Sequence, residues 1–261
     1  GITYTGAPTA TLRRTLDKGR AKQVLQKQNI PTAPYQVFAR ADEAINVPLP
    51  AIVKPVAEDA SLGITRESVV FDEAQLRARV QYILEVYRQP ALVEEFLPGR
   101  EFTVAIMGRQ DAALYSRHPE WYAEDGFHRF PVLELDSSRS VTPQVYSQEA
   151  KSKSVGEEGA PGYLCPADIE PEFAKKLQYL AWRAHILLGA LDVSRTDIRL
   201  DEEGNPRLME INTLPGLTPD YSDLCLIANG AKLEYRSLIG EILAGGLKRL
   251  RERADARPRE P

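Results

Sequence analysis

Apolar residues recur at helical spacing in "PEFAKKLQYLAWRAHILLGA", from Pro171. Phe173, Leu177, Leu180, Ala184, Leu187 and Leu188 fall on one stripe and predict the clearest helix of the chain. Pro171 suits its first turn, and Gly189 lies near its far end. "LRRTLDKGRAKQVLQKQNI", from Leu12, reads as an earlier helix that stops before the two prolines of "IPTAPY". Elsewhere the period shortens toward two. "AIVKP" at Ala51, "LVEEFL" at Leu92, "EFTVAIM" at Glu101 and "FPVLEL" at Phe130 are predicted strands, the middle two on either side of the turn "PGR". "RTDIRL" and "RLMEIN" flank the charged turn "DEEGNP", which is a hairpin signal. Final helices are predicted from about Thr218 to Ala228 and from about Tyr235 to Leu250, followed by a solvated tail, "RERADARPREP". Strands and helices mix without a regular βαβ repeat, and antiparallel hairpins covered by helices predict an α+β fold.

Composition narrows the picture modestly. A net charge of −4 argues against a general nucleic-acid binder. Cys165 and Cys225 lie far apart and form no metal spacing or disulfide framework, as in a reduced, cytoplasmic protein. No apolar run approaches the roughly 18 residues a membrane span needs, and no signal peptide is visible. The chain starts at Gly1 rather than Met, so a fragment or a trimmed product is expected.

The hairpin carries the candidate chemistry. On a strand, residues two apart share a face, so Glu210 and Asn212 point one way while Met209 and Ile211 point the other. Arg195, Asp197 and Arg199 share a face of the partner strand. A turn centred near Glu203-Gly204 sets Asp197 opposite Glu210 and Arg195 opposite Asn212. Two carboxylates that close repel unless a cation or proton lies between them. An all-oxygen set of Asp197, Glu210 and Asn212 suits Mg²⁺, whereas a surface hairpin with a merely wet polar face gives the same alternation. Thr218 as N-cap with Pro219 at the first helical position would open a helix N-terminus nearby, which is an anion site.

These pieces, with "LDKGRAK", "IVKP", "EDASLGI", "LVEEFLPGREFTV", "QEAK", "CPA" and "MEINTLPGLTP", resemble the ATP-grasp superfamily, within it the D-alanine–D-alanine ligase group, over roughly Leu16 to Leu243. The resemblance implies two α+β lobes gripping ATP between antiparallel sheets. Residues 16–97 would form the small lobe, 98–247 the large lobe with the metal and substrate site, 1–15 the exit segment of a preceding domain, and 248–261 a charged tail. It implies a soluble cytoplasmic ligase of peptidoglycan synthesis that uses ATP and Mg²⁺ (or Mn²⁺) to join small amino-acid substrates, with no nucleic-acid or membrane partner and room for a homodimer. By that resemblance Asp197, Glu210 and Asn212 are metal ligands, and Lys18 and Lys54 hold ATP phosphates. Ser61 and Gly63 belong to the phosphate loop. Glu94, Glu95 and Leu97 form the adenine hinge, Glu101 meets the ribose, and Met209 lies against the nucleotide. Arg195 and the Gly216 N–H stabilise the tetrahedral oxyanion, with Lys151 near the γ-phosphate.

Four departures from that pattern stand out, the one in the phosphate loop bearing on ATP use and the others on what is joined. Asp59-Ala60-Ser61 stands where the group usually has a Gly and a Ser pair, and Ser152 follows the loop lysine in place of an aromatic residue. Tyr221 stands where D-alanine ligases place a serine for the second substrate's carboxylate, with Ser222 beside it. Gln110–Arg129 is an apparent insertion rich in aromatic residues, readable as a substrate lid or as a stapled surface loop. A ligase of other amino or hydroxy acids and a nucleotide-binding module without catalysis are the alternatives.

Overall fold

A computed structural model describes residues 2–59, 61–136, 138, 156–158 and 160–256. Lys151, Ala60 and Ser152 lie outside the described residues. Two antiparallel sheets carry the fold. The smaller, in the order β1-β4-β2-β3, contains β1 (Tyr35–Phe38), β2 (Ala51–Pro55), β3 (Val69–Val70) and β4 (Ala91–Glu95). The larger runs β10-β9-β5-β7-β8 and contains β5 (Glu101–Gly108), β7 (Leu133–Asp136), β8 (Gly162–Leu164), β9 (Val193–Leu200) and β10 (Pro206–Asn212); β6 (Phe127–Arg129) pairs with the end of β5.

Alternation decides which side of each sheet is dry. In the small sheet Ala51, Val53, Ala91 and Val93 pack with Leu76, Val80 and Ile83 of α3 (Glu73–Val86), leaving Lys54 and Glu94 on the opposite face. In the large sheet Phe102, Val104, Ile106 and Ile198 pack on Leu177, Leu180, Ala184 and Leu188 of α4 (Pro171–Leu188), the stripe read from the sequence. The other face is covered only toward one end. There Ala105, Met107 and Val193 meet Leu224, Ile227 and Ala228 of α5 (Asp223–Gly230) and Leu238 and Ile242 of α6 (Tyr235–Asp255). The uncovered end of that face carries the polar residues.

Several expectations change. The helix from Leu12 is two helices, α1 (Thr9–Leu16) and α2 (Lys18–Lys27). Asp17 leaves helical geometry and its carboxylate caps α2 by accepting the Arg20 N–H at 3.0 Å, a local bond that competes with a continuous helix. α2 buries Ala21 and Leu25 in the α4 core, so it packs with the large sheet although it precedes the small one. β4 and β5 flank the "PGR" turn but enter different sheets. The strand predicted at Phe130 begins at Leu133, because Phe130 is buried in the α5–α6 core just before it. The helix predicted from Thr218 begins at Asp223; residues 218–222 form a turn in which the Ser222 N–H donates to the Thr218 carbonyl at 2.9 Å and the Thr218 N–H donates to Ser222 Oγ at 3.0 Å. The Thr218–Pro219 helix N-terminus, and the anion site drawn from it, are therefore absent. The charged tail starts as helix, since α6 runs to Asp255.

The Gln110–Arg129 segment is stapled down. Glu241 of α6, buried, accepts from Ser116 Oγ at 2.6 Å, the Arg117 N–H at 2.9 Å and Tyr122 Oη at 2.8 Å, while Phe127 enters the α4 core. His118 stacks on Trp121 with centroids 4.2 Å apart, and the His128 Nδ1 lies 2.7 Å from the Trp121 carbonyl. His185 is a core residue: burial pushes its imidazole down to about 4 and Nδ1 lies 2.8 Å from Ser194 Oγ.

Gly189 closes α4 in the left-handed region at φ 76°, and a Cβ there would lie 3.1 Å from Thr11 Oγ1. Gly189→Ala is expected to lower stability by about 1–2 kcal/mol, measured by equilibrium denaturation, from the backbone penalty alone.

Candidate active site

The β9–β10 hairpin sets the site. Pro206, Arg207 and Leu208 pair with Leu200, Arg199 and Ile198; after a bulge at Met209, Glu210 pairs with Asp197, Ile211 with Thr196 and Asn212 with Arg195. Leu208 and Ile211, three residues apart, both enter the core, so Met209 does not alternate with Glu210 as a flat strand requires. β5 continues the pattern, pairing Glu101 with Arg199, Thr103 with Asp197 and Ala105 with Arg195. The open face thus carries cross-strand rows: Glu101–Arg199–Arg207, Thr103–Asp197–Glu210 and Ala105–Arg195–Asn212.

Every charge on this face has a partner. Asp197 Oδ1 accepts from Thr103 Oγ1 at 2.6 Å, and its Oδ2 lies 3.0 Å from Arg195 Nη2. Arg195 Nη1 donates to Asp223, the first residue of α5. Glu101 pairs with Arg199 at 3.6 Å; burial pulls the Arg199 guanidinium down and Glu101 partly restores it. Asn212 Oδ1 accepts the Leu214 N–H at 2.9 Å, which turns the chain toward Pro215-Gly216. A Cβ on Gly216 would lie 2.7 Å from Ser222 Oγ, so glycine permits the close approach of this loop to Ser222.

The small sheet and α2 supply the cations. Lys18 Nζ lies 3.2 Å from Glu210 Oε2 and donates to the Glu58 carbonyl, joining α2, the loop after β2 and the hairpin. Glu94 is buried between Lys22 and Lys54, one on each carboxylate oxygen. Burial alone would raise the Glu94 carboxyl, but the two ammonium groups hold it at about 2. Lys22 is pulled below its usual value by burial against the opposing Glu94. Burial acts the same way on Lys54, yet Glu94, Glu210 and Glu101 together raise it. A narrow cleft lies between Lys18, Lys54, Ser61, Leu62 and Glu210; Ser61 and Gly63 both take positive φ. A second opening, about 490 Å³, extends along Glu101, Arg199, Leu135 and Tyr163. Leu97 is buried and Glu95 half-buried at the end of β4. Tyr221 is exposed.

A divalent metal fits by donor type rather than by a finished cage. Among the described residues no three His, Cys, Asp or Glu side chains converge on one point. Asp197 and Glu210 are register partners with the Asn212 carboxamide one row on, which suits an ion that takes one or two carboxylates and completes its shell with phosphate and water. Lys22 and Asp223 were not anticipated. Lys22 lies one helical turn after Lys18, a spacing that was available in the sequence; Asp223 carried no local signal beyond an acid in a helix's first turn.

The model of the family described as the D-ala D-ala ligase C-terminus matches residues 23–244. The chain belongs to the D-alanine–D-alanine ligase family. A D-alanine–D-alanine ligase of Nitrosococcus oceani is 33% identical over 95% of the chain and 70% of that protein. An uncharacterised protein of Sinorhizobium fredii is 32% identical over 93% of the chain and 66% of its own length. The crystal structure of the Bacillus anthracis D-alanine–D-alanine ligase complexed with ATP superimposes with a TM-score of 0.70 at 20% identity, over 97% of the chain and 73% of that structure. The fold is the two-sheet α+β ATP-grasp fold of that ligase family. Among the described residues no helix is long and apolar enough to cross a membrane.

Glu94→Gln leaves Lys22 buried without its counter-charge. It is expected to cost about 3–5 kcal/mol at neutral pH, read by denaturant titration. The sign follows from a folded-state value below the unfolded one. Glu94 stabilises fully above the unfolded carboxylate value and loses that contribution as pH falls through about 2. The parent should therefore lose stability between about pH 5 and 2 more steeply than Glu94→Gln.

Proposed function

We propose that this chain carries the nucleotide, metal and ligation site of an ATP-dependent, ADP-forming carboxylate–amine ligase of the D-alanine–D-alanine ligase type. The observation that carries the reading is the register of the polar face: Asp197 opposite Glu210, Arg195 opposite Asn212, and Glu101 two residues from Thr103 on β5, with Lys18 and Lys54 across the cleft. The spacing fits a nucleotide laid along the strands. Two residues of strand advance about 6.6 Å, from the carboxylate row at Asp197 to the row of Glu101, which suits phosphates at one and ribose at the other.

Lys18 and Lys54 bind and orient the phosphates as point charges. Both exchange a carboxylate partner for phosphate oxygens, while Lys22 keeps Glu94 compensated. Mg²⁺, held by Asp197, Glu210 and Asn212, would neutralise charge on the transferring phosphoryl group. ATP phosphorylates the donor carboxylate, and the acceptor amine then displaces phosphate. Arg195 and the Gly216 N–H are assigned to the oxygen that becomes negative in the tetrahedral step. The expected cytoplasmic setting and a homodimer belong to the same proposal.

The acceptor side favours a second reading. Ser222 Oγ accepts the Thr218 N–H and is held against Gly216, and the position beside it is the exposed Tyr221. A pair other than two D-alanines, such as another amino or hydroxy acid as acceptor, fits that loop. ADP release should be measured with D-alanine and with other amino and hydroxy acids of both hands. Turnover that requires D-alanine supports the first reading, and turnover indifferent to it rejects that reading. Asp197→Asn and Glu210→Gln should each lower Mg²⁺-dependent ADP release by about 10²-fold or more with the fold retained by circular dichroism. Unchanged release would reject the metal assignment.

A further inference from the structure

We infer that Asp223 is a positioning residue for Arg195, and that it allows a guanidinium and a divalent cation to share the same end of the sheet. The inference rests on the metal and oxyanion roles proposed above.

Arg195 is held from two elements. Its Nη2 lies 3.0 Å from Asp197 on its own strand, and its Nη1 donates to Asp223 on α5. All three side chains are buried. The two anchors differ in what else they do. Asp197 stands opposite Glu210, where the cation is assigned, so a bound cation competes with the guanidinium for Asp197 and repels it. Asp223 lies on α5, outside the Asp197–Glu210 register pair, and the helix residues after it are fixed. Leu224, Cys225, Ile227 and Ala228 pack against Ala105, Met107 and Val193 of the sheet. It therefore offers the guanidinium an anchor that metal loading does not take away.

The ordinary role for an acid in a helix's first turn is to complement the helix dipole from the surface. Asp223 departs from that role by being buried and aimed at a strand residue, since a buried carboxylate is costly unless paired. The neighbouring position in the sheet makes room for the pair: the cross-strand neighbour of Arg195 on β5 is Ala105. With the Asp223 end fixed, the guanidinium stays opposite Asn212 when Asp197 turns to the metal.

The test uses Asp223→Asn and Asp223→Glu in the parent protein and in an Arg195→Met background. Mn²⁺ binding, followed by water-proton relaxation, is the readout independent of turnover. In Asp223→Asn, Arg195 loses its anchor on α5 and leans more on Asp197, and Mn²⁺ binding should weaken about tenfold. In Asp223→Glu the charge remains and binding should stay within about threefold of the parent. In the Arg195→Met background Asp223→Asn should no longer weaken binding, because the guanidinium it acts through is gone. In turnover, Asp223→Asn should lower kcat by about 10–10²-fold while KM for ATP changes less than about threefold. Equal weakening with and without Arg195 overturns the inference, as does unchanged Mn²⁺ binding in Asp223→Asn. If Asp223→Asn does not fold, Asp223→Glu decides: tenfold weaker Mn²⁺ binding in a folded protein overturns the inference, and parental binding supports it. Failure of the parent to bind Mn²⁺ overturns the metal assignment itself and the inference with it, which separates the two.

Discussion

Glu210 faces Asp197 because β10 gains one residue at Met209. Near the turn the hairpin pairs Leu208 with Ile198; continued without a bulge, that register would set Met209 against Asp197 and turn Glu210 toward the next partner. A shift of one residue moves every side chain to the other face of a sheet. The bulge instead keeps both demands satisfied. Leu208 and Ile211 reach the α4 core, while Glu210 and Asn212 reach the open face. The rows that join β9 to β10, Asp197 with Glu210 and Arg195 with Asn212, depend on that single unpaired residue, while the β5–β9 register sets Glu101 relative to Asp197.

The cleft between the two sheets gathers many charges, and their pairing is organised in two chains. One runs from Lys22 through Glu94 to Lys54. The other joins Asp223 to Arg195 and Asp197. Lys18 and Glu210 bridge α2 to the hairpin. Each chain contains a member proposed to bind ligand and a member that stays with the protein. Lys54 and Asp197 are the exchangeable ends; Lys22 and Asp223 are the resident ones. A network built this way stays compensated when phosphate and metal arrive, since each departing partner leaves its neighbour with one counter-charge rather than none.

The hairpin was legible in the sequence because strand pairing across a short turn is local, though Asp197 meets Glu210 through the bulge at Met209 and not through the turn register alone. α4 was legible for the same kind of reason, its stripe and its terminal glycine being local too. What escaped was decided at a distance or by a single side chain. Asp17 breaks one amphipathic segment into two by capping Arg20, a choice that helical periodicity does not register. β4 and β5 look like a hairpin across "PGR", yet each finds its partners elsewhere, β4 with β1 and β2 and β5 with β7 and β9. Thr218-Pro219 has a good N-terminal signature, but Ser222 and Thr218 bond each other and the helix waits for Asp223. Of the strand residues named by the family resemblance, Glu101, Arg195, Asp197, Glu210 and Asn212 share one open face of the large sheet. The resemblance did not reveal Lys22 or Asp223, whose roles rest on contacts between elements far apart in sequence.

The two halves of the cleft are built from different materials, and this bears on how far the family assignment reaches. The proposed nucleotide half stands on paired strands, where a changed residue disturbs a register shared by several others. The proposed acceptor half stands on residues 213–222, a loop tied by Asn212, Ser222 and Thr218 and ending at Asp223. Such a loop can change the residues it presents without moving the strands. Tyr221 lies in this loop, whereas Asp197, Glu210 and Asn212 lie in the paired strands. Asp223 joins the halves, because it is the first residue of α5, directly after the loop, and also pairs with Arg195. A change of acceptor therefore has to preserve that one contact while it varies the residues on either side of it.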